Sequence, residues 1–231
     1  KRKNKYTIFV VERIKTMQAT ISADIISSTS ISKEGTIELK RKIDELFQLL
    51  ETKYPGFWGR QIKGDYIECT IPNAVDSFRI ALIIKAFIKS TQLNRSLENK
   101  KFQTYGIRIA IGIGEMRIID KVANIMDGEA IYLSGRSVEK MRTPKKGTLK
   151  INTNNTFYRS SLHTIAILTD AIMNNATKRQ SEVIFHKLLS KKECEIAKEM
   201  KISQAGVNKH TTSAQWYCIE EALNYFERIK F

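Results

Sequence analysis

Cysteine and histidine are scarce in this sequence, which contains three of each among its 231 residues. The cysteines are Cys69, Cys194 and Cys218, an odd number without the regular spacing of metal ligands. This pattern argues against a disulfide framework and predicts free, buried thiols in a reducing compartment. The histidines are scattered along the chain and do not suggest a zinc site.

A long hydrophobic run is also missing. The most apolar stretch, Phe78–Ile88, is interrupted by Arg79 and Lys85 and is much shorter than the roughly 20 residues of a membrane-spanning helix. No stretch has the pattern of a secretory signal. Hydrophobic residues make up 42% of the chain and charged residues 27%, as in soluble globular proteins. We therefore expect a cytoplasmic protein.

Acidic residues are few relative to basic ones. The chain has 24 acidic and 39 basic residues, a net charge of +15 and a pI near 9.7. This excess favours polyanionic partners, nucleic acid first and an anionic membrane surface second. Part of the excess lies in residues 1–16, which contain six basic residues and one acidic residue. Because a basic tail can also be a solvated arm without a partner, charge alone does not establish nucleic-acid binding.

Residues 1–16 combine this basic start with a strand-like core at Tyr6–Val11. Met17 directly precedes the first clear strand, and we expect the conventional start of the chain there. The first sixteen residues would then be a basic N-terminal strand or arm added to the fold.

Residues 17–152 alternate strand patterns with helix patterns. The predicted elements are a strand at Gln18–Ile26, a helix capped by Ser32, a hairpin of Phe57–Ile62 and Tyr66–Ile71, a helix after Pro72, a strand at Thr104–Ile113, a helix at Glu129–Met141 and a strand at Thr148–Ile151. This order predicts an α+β domain of the ferredoxin-like or palm type, βαββαβ, with helices on one face of its sheet. Residues 121–126 are a connector whose structure the pattern leaves open.

Residues 153–231 are predicted to form a small all-α domain. Asn152–Phe157 is rich in Asn and Thr and is the expected interdomain linker or turn. Helices are expected at Ser160–Met173, at Lys178–Leu189 and at Ser213–Ile229. The apolar stripe of the last helix would either complete the core of the small domain or form a dimer seam.

A helix-turn-helix is predicted at residues 193–212. Ala197 is the small residue that two steeply crossing helices need at their contact, and Ser203 is an N-cap residue placed to start the second helix. The apolar residues that would seal the pair are Ile196, Met200, Ile202 and Val207. His210 stands where an apolar residue is usual and Lys201 where glycine is common, so the alternative is an ordinary helical hairpin.

The outer face of the second helix carries polar side chains that can reach base edges or phosphates. They are Ser203, Gln204, Asn208, Lys209, Thr211 and Thr212. Gln204 and Asn208 are candidates for contacts with adenine, and Lys209 for a contact with guanine or phosphate. Because a single helix-turn-helix reads few base pairs, we expect a homodimer bound to double-stranded DNA.

Asp24 and Asp65 are the candidate acidic site residues of the α+β domain. Asp24 lies near the end of the first strand and is followed by Ser27, Ser28 and Thr29, small hydroxyl residues in a turn whose backbone N–H groups can face an anion. Asp65 lies in the hairpin turn. The alternative is that Asp24 caps a helix and that Asp65 only makes a turn.

Four segments resemble, in order, the class III nucleotidyl cyclase homology domain, and more closely the SatD family of bacterial proteins. They are SADIISST, KGDYIEC, IRIAIGIGE and DGEAIYLSGRSVEKM, the last followed by KKGTLKI. The resemblance covers residues 18–151 and implies a palm-type fold. It also implies that Asp24 and Asp65 hold two magnesium ions, which bind a nucleotide.

The same resemblance implies that the catalytic machinery is incomplete. Arg136 matches the transition-state arginine of the cyclases, but Tyr132 occupies the position of their asparagine. Gln61 occupies the position of the lysine that reads the purine. These losses would remove base selection and part of the charge stabilisation on which phosphoryl transfer depends. We therefore expect a degenerate sensor or dimerisation domain without enzyme activity.

The segment TKRQSEVIF, followed by EIAKEMKISQAGVNKH, resembles the helix-turn-helix of LuxR-type regulators and of sigma region four. Together with the first resemblance, this implies a DNA-binding regulatory protein. Because a long apolar run is missing, we expect no membrane partner. The alternative is a magnesium-dependent nucleotidyl cyclase or nucleotidyltransferase that uses Asp24 and Asp65. A third possibility is a protein-interaction adaptor.

Overall fold

The computed structural model describes residues 17–28, 31–62, 64–91, 100–141, 143–144 and 147–231, so the predictions for residues 1–16 and for Thr29 lie outside it. The strands are β1 (Gln18–Ile25), β2 (Trp58–Ile62), β3 (Tyr66–Ile71), β4 (Ile107–Gly114), β5 (Met116–Asp120), β6 (Ile125–Gly128) and β7 (Leu149–Thr153). The helices are α1 (Lys33–Lys53), α2 (Ser77–Ser90), α3 (Lys100–Tyr105), α4 (Glu129–Lys140), α5 (Thr156–Asn175), α6 (Lys178–Leu188), α7 (Glu193–Met200), α8 (Gln204–Ser213) and α9 (Trp216–Glu227). None of these helices is both long enough and apolar enough to cross a bilayer.

Five strands form one mixed sheet in the order β2-β3-β1-β4-β7. β1 is antiparallel to β3 and β4, β2 is antiparallel to β3, and β7 is parallel to β4. Successive side chains of β1 point to opposite faces, with Ala19, Ile21 and Ala23 on one face and Thr20 and Ser22 on the other. All five are buried, so both faces of the central strand are covered.

The first face of the sheet carries the main hydrophobic core. Helices α1 and α2 pack on this face, and the same buried cluster continues into α5, α6 and α9. Two aromatic contacts mark this continuation. The ring centroids of Phe78 and Phe226 are 5.1 Å apart, and those of Phe87 and Phe185 are 5.4 Å apart. The helices that follow the sheet in sequence therefore share its core, and the α+β class predicted from the sequence is confirmed.

Helix α4 covers the second face of the sheet. The Ser134 hydroxyl lies 2.9 Å from the Thr20 hydroxyl and 2.8 Å from the Ser22 hydroxyl. Gly112 of β4 is so close to α4 that an added Cβ would collide with the backbone of Ala130. The prediction that helices cover only one face is therefore wrong. Small and hydroxyl residues are typical of a solvated strand face, but here they let a helix approach closely.

The strands β5 and β6 form a separate two-stranded sheet around residues 121–126, whose structure the sequence pattern leaves open. Asn124 makes the turn with a left-handed φ of 59°. The guanidinium of Arg60 on β2 donates to the Asn124 side-chain oxygen at 2.7 Å, which fixes the tip of the hairpin against the sheet. Four large apolar side chains of the hairpin are exposed: Ile118, Ile119, Val122 and Ile125.

A lysine inside the apolar helix α2 belongs to a buried polar cluster. The Lys85 ammonium donates to the Thr148 hydroxyl at 2.8 Å and lies 3.2 Å from the Asp170 carboxylate of α5. The Thr148 hydroxyl in turn donates to Asp170 at 2.7 Å. One turn further along α2, Lys89 donates to two carbonyl oxygens at the end of α5. Burial lowers the pKa of both lysines, that of Lys89 to about 7.

The expected linker at residues 152–157 is short in the structure. β7 extends to Thr153 and α5 begins at Thr156, so only residues 154–155 lie between them. Asn155 caps α5, because its side chain accepts a hydrogen bond from the Phe157 N–H. The boundary predicted between residues 152 and 153 falls inside the last strand of the sheet. The division into two domains stays a prediction.

The three cysteines are free thiols. Cys69 is buried in β3, as predicted, and burial raises the pKa of its thiol. Cys194 and Cys218 are exposed, contrary to prediction, because they lie on the solvent side of α7 and α9 rather than in the apolar stripe of either helix.

Candidate nucleic-acid interface and acidic edge of the sheet

Helices α6, α7 and α8 form a compact unit with a small core of its own. Its buried residues come from all three helices: Val183, Ile196, Ala197, Met200 and Val207, with Ile202 partly buried beside them. Short helices need such shared packing, because a helix of about ten residues is barely stable alone in water. The residues predicted to seal two helices therefore lie together, and Val183 joins them from α6.

Residues 201–203 connect α7 to α8. Lys201 is left-handed, with φ 53° and ψ 46°, and the Ile202 N–H donates to the Ala197 carbonyl at 3.0 Å. Glycine is favoured in this conformation, so a lysine there carries a strain of roughly 1 kcal/mol. The Ser203 hydroxyl accepts a hydrogen bond from the Gly206 N–H at 3.1 Å, which confirms Ser203 as the N-cap of α8.

The outer face of α8 presents polar side chains to solvent. The exposed ones are Gln204, Asn208, Lys209 and Thr212. Within the described ranges, these four side chains make no hydrogen bond or ion pair with the rest of the chain. Ser203 is also exposed, but its hydroxyl oxygen is engaged in the cap. Thr211 is half-buried and donates to the Val207 carbonyl at 2.9 Å, so its hydroxyl does not point outward.

Exposed lysines occur on α7, in the connection between the two helices and on α8 itself. Lys198, Lys201 and Lys209 are exposed, and none has an ion-pair partner in the part of the chain that the structure describes. By contrast, Lys191 pairs with Glu199 at 2.6 Å, and that contact lowers the pKa of the Glu199 carboxyl. Cations that are not paired within the chain, placed beside uncharged donors and acceptors, are typical of surfaces that contact a phosphate backbone.

Asp24 lies opposite Arg108 where β1 pairs with β4. The Arg108 Nε donates to one carboxylate oxygen of Asp24 at 2.8 Å, and Nη2 donates to the other. The remaining nitrogen, Nη1, donates to the Met141 carbonyl after α4. Asp24 is thus held in a two-point ion pair. It does not cap the following helix, because Ser32 does so.

Asp65 lies at the same end of the sheet, directly before Tyr66, which pairs with Asp24 across β1 and β3. The Asp65 carboxylate accepts a hydrogen bond from the Ser28 hydroxyl at 2.7 Å. Its carbonyl accepts the Ile25 N–H at 3.1 Å. The structure therefore brings Asp24, Asp65 and Ser28 to one end of the sheet.

A two-ion magnesium site needs several free oxygen ligands. Arg108 engages both carboxylate oxygens of Asp24, and the Ser28 hydroxyl engages one oxygen of Asp65. The described residues contain no group of three or more Asp, Glu, His or Cys side chains placed to hold a metal ion. As arranged, the donor set does not fit the site that the cyclase resemblance implies. Metal and nucleotide binding at this edge stay predictions.

The other positions drawn from the cyclase resemblance are engaged in local contacts. Tyr132 and Arg136 lie one turn apart on α4, with the guanidinium carbon 5.8 Å from the tyrosine ring centroid. The Tyr132 hydroxyl donates to Asp127 at 2.7 Å, and this hydrogen bond lowers the pKa of the Asp127 carboxyl. Gln61 is half-buried on β2, with its amide nitrogen 3.5 Å from the Lys40 carbonyl.

The sequence pattern does not reveal the polar cluster in the main core. The pattern marks Lys85 only as an interruption of an apolar run, and it does not mark Asp170. One signal was available, because α2 and α5 each carry a charged residue among the inward positions of an apolar stripe. Charges of opposite sign are buried in a core only when they pair with each other. The two inward charges would therefore have predicted a contact between α2 and α5.

No protein-family model matches the chain, and no curated protein matches it either. The resemblances to the SatD family, to the cyclases and to LuxR-type regulators therefore rest on the quoted motifs alone. Membership of any of these families stays a prediction, and the geometry of the α6–α8 unit is the stronger guide to function.

Proposed function

We propose that the chain is a DNA-binding regulatory protein in which α7 and α8 are a helix-turn-helix. The outer face of α8 carries the proposal. Val207 fixes the inner face of this helix in a small core, while Gln204, Asn208, Lys209 and Thr212 are exposed on the other side. A short helix that is held rigidly and presents uncommitted donors and acceptors suits the major groove.

Each side chain of this face has a distinct role in the proposal. α8 enters the major groove, where Gln204 and Asn208 hydrogen-bond to adenine and Lys209 contacts guanine or a phosphate. Ser203 and Thr212 lie at the two ends of the helix and contact the phosphate backbone. Lys201 adds a salt-dependent phosphate contact.

The sheet with helices α1 to α4 is the second part of the proposal. We assign it as a degenerate cyclase-like domain of the palm type that senses a ligand or drives pairing. The strand order supports the assignment, because a central β1 flanked by the antiparallel strands β3 and β4 is the order expected of such a fold. The protein would act as a homodimer in the cytoplasm, with its two α8 helices about 34 Å apart on the DNA.

The magnesium-dependent cyclase or nucleotidyltransferase has less support. Catalysis by two metal ions requires carboxylate oxygens that are free to ligate them. Arg108 engages both oxygens of Asp24, and the Asn and Lys positions of the cyclases hold Tyr132 and Gln61. The adaptor alternative would use the same outer face of α8 for a protein partner.

Fluorescence anisotropy of labelled duplex DNA tests the proposal. DNA from upstream of the protein's own gene is compared with scrambled DNA across a salt series. We expect Asn208→Ala to weaken specific binding by about 1–3 kcal/mol and Lys209→Ala to reduce the salt slope by about 1. Gln48→Ala removes an exposed amide from α1 and should change neither. Equal affinity of the wild type for the two duplexes, or an unchanged preference in Asn208→Ala, would contradict the proposal.

A further inference from the structure

The exposed side of α5 is unusual for a helix in contact with water. Among its twenty residues only Arg159 and Asp170 carry a full charge, and Asp170 is buried. Its large exposed apolar side chains are Phe157, Ile167 and Leu168, which are 82%, 49% and 61% exposed. Large apolar side chains exposed on a helix with so few charges commonly mark an interaction site.

A groove runs between α5 and α9 beside this surface. It consists of three adjoining cavities of about 520, 550 and 430 Å³. Ile165 and Ala222 line both the first and the second cavity, and Glu221 and Tyr225 line both the second and the third. The three cavities therefore form one continuous groove along most of the length of the two helices.

One stripe of α9 forms a wall of the groove. Its residues recur at helical spacing: Cys218, Glu221, Ala222, Tyr225 and, at the C-cap of the helix, Arg228. Glu221 and Arg228 are seven residues apart, which is two helical turns and about 10 Å along the axis. Both are exposed, and neither has an ion-pair partner in the ranges that the structure describes.

We infer that a second copy of this chain covers the groove, with its α9 antiparallel to the first and a two-fold axis near Asn224 and Tyr225. The position midway between residues 221 and 228 is 224.5, so this axis places each Glu221 opposite Arg228 of the other copy. The two Tyr225 rings then lie side by side over the groove, and the apolar residues of α5 flank them. A nucleic acid would need a uniformly basic face. This face instead carries one acidic and one basic residue, Glu221 and Arg228, which are complementary to the same two residues of an antiparallel second copy.

This inference deepens the proposed function, because it names the surface of the expected homodimer. Only residues 214–215 separate α8 from α9. A dimer through α9 therefore fixes the distance and direction between the two copies of α8. The experiments below contain no DNA, and Asn208→Ala lies outside the groove, so failure of the dimer and failure of DNA binding are distinguishable.

Sedimentation equilibrium of the full chain tests the charge pairs. We expect a wild-type dimer that Glu221→Arg or Arg228→Glu each weakens roughly tenfold or more, because each change places like charges together twice per dimer. The double variant Glu221→Arg/Arg228→Glu should regain the wild-type affinity. An equal mixture of the two single variants should form a heterodimer, although neither pairs well with itself. A monomeric wild type, or a dimer that ignores both single changes, would overturn the inference.

Cysteine cross-linking tests the position of the axis. In a Cys194→Ser/Cys218→Ser background, Tyr225→Cys should oxidise to a disulfide-linked dimer, because its two copies lie beside the axis. Tyr217→Cys is the matched control, since Tyr217 is 72% exposed on the same helix but lies outside the groove. A cross-linked dimer of the Tyr217→Cys variant, with none of the Tyr225→Cys variant, would overturn the antiparallel arrangement. Circular dichroism confirms that each variant is folded.

Discussion

Arg108 donates to both carboxylate oxygens of Asp24 across the pairing of β1 with β4. The two side chains are 23% and 20% exposed, so solvent screens this ion pair less than a surface pair. The guanidinium thus supplies the positive charge at the position where the cyclase resemblance implies magnesium. Arginine and a metal ion are alternatives there, because both need the same carboxylate oxygens.

Replacing Arg108 by alanine should expose this competition. Asp24 would lose its charged donors, and we expect Arg108→Ala to lower the free energy of unfolding by about 1.5–3 kcal/mol. Magnesium should recover part of that loss, because the oxygens of Asp24 become available as hard ligands at the end of the sheet that also carries the Asp65 carboxylate. The melting temperature of the wild type should change little with magnesium. Thermal unfolding with and without magnesium chloride measures both effects.

Arg60→Ala provides the control for the magnesium response. Arg60 forms a comparable ion pair with Glu68, at 2.6 Å between β2 and β3. A single freed carboxylate binds magnesium weakly, so the metal should not stabilise this variant. An equal magnesium response of the two arginine variants, or a strong response of the wild type, would count against the competition.

Asp170→Ala should be strongly destabilising. It removes the carboxylate 3.2 Å from the buried Lys85 ammonium and leaves that charge without its counter-ion in the core. Loss of one partner of a buried pair costs about 3–5 kcal/mol. Urea unfolding measures the change, with His163→Ala on the exposed side of α5 as the control. A loss below that of the control would mean that the pair does not hold α5.

Lys89 predicts a pH dependence of stability. Its pKa falls to about 7 in the folded protein, mainly because it is buried and secondly because Lys85 is near, against a pKa of 10.5 for an ordinary lysine. Between these two values the unfolded chain binds more protons than the folded chain, so stability rises with pH. The slope for one group is at most about 1.4 kcal/mol per pH unit.

Lys89→Met isolates this contribution, because the charged groups near it, Lys85 and Asp170, remain. The free energy of unfolding of the wild type should rise more steeply than that of the variant between pH 7 and 10.5. Parallel stability curves over this range would show that Lys89 keeps an ordinary pKa in the folded state. Urea unfolding at half-unit pH steps supplies the comparison.

Lys201→Gly should stabilise the connection between α7 and α8. Lys201 has φ 53°, a conformation that glycine adopts without strain, so we expect a gain of about 0.5–1 kcal/mol. The same substitution at Lys198, inside α7, should instead cost up to about 1 kcal/mol, because glycine weakens a helix. Thermal unfolding of the two variants shows whether each change stabilises or destabilises the protein. Destabilisation by both changes would contradict the left-handed conformation of Lys201.

Regular elements of this fold are predictable where one repeat period dominates. Ile107, Ile109, Ile111 and Ile113 alternate along β4, and all four are buried on one face. Ser32 and Ser203 start α1 and α8 as their residue type predicts, because each hydroxyl accepts a hydrogen bond from an N–H three residues on. These features depend on neighbours in sequence and need no tertiary information.

The second face of the sheet could not be predicted in this way. Thr20 and Ser22 contact Ser134, more than a hundred residues away, and nothing near them in sequence indicates a helix above them. The hairpin of β5 and β6 fails for another reason. Its isoleucines face solvent, so its strands lack the alternation of apolar and polar residues on which strand prediction depends.

The candidate site also has features that follow from the local sequence and features that depend on tertiary contacts. The exposed face of α8 follows from local helical spacing, and the structure leaves Gln204, Asn208 and Lys209 free of intramolecular bonds in the part that it describes. The partner of Asp24 does not follow, because Arg108 is 84 residues away and the contact requires the register between β1 and β4. Motifs located the acidic residues, but only the register shows what neutralises them.

The polar cluster of Lys85, Thr148 and Asp170 also determines how the chain responds to proteolysis. A protease that cut the short connection between Asn154 and Asn155 would sever β7 from α5 without breaking any contact between them. Departure of the C-terminal piece would then remove the counter-ion of the Lys85 ammonium and uncover Phe78, which packs against Phe226 of α9. The two pieces should therefore remain associated as a nicked complex, and unfold together on heating.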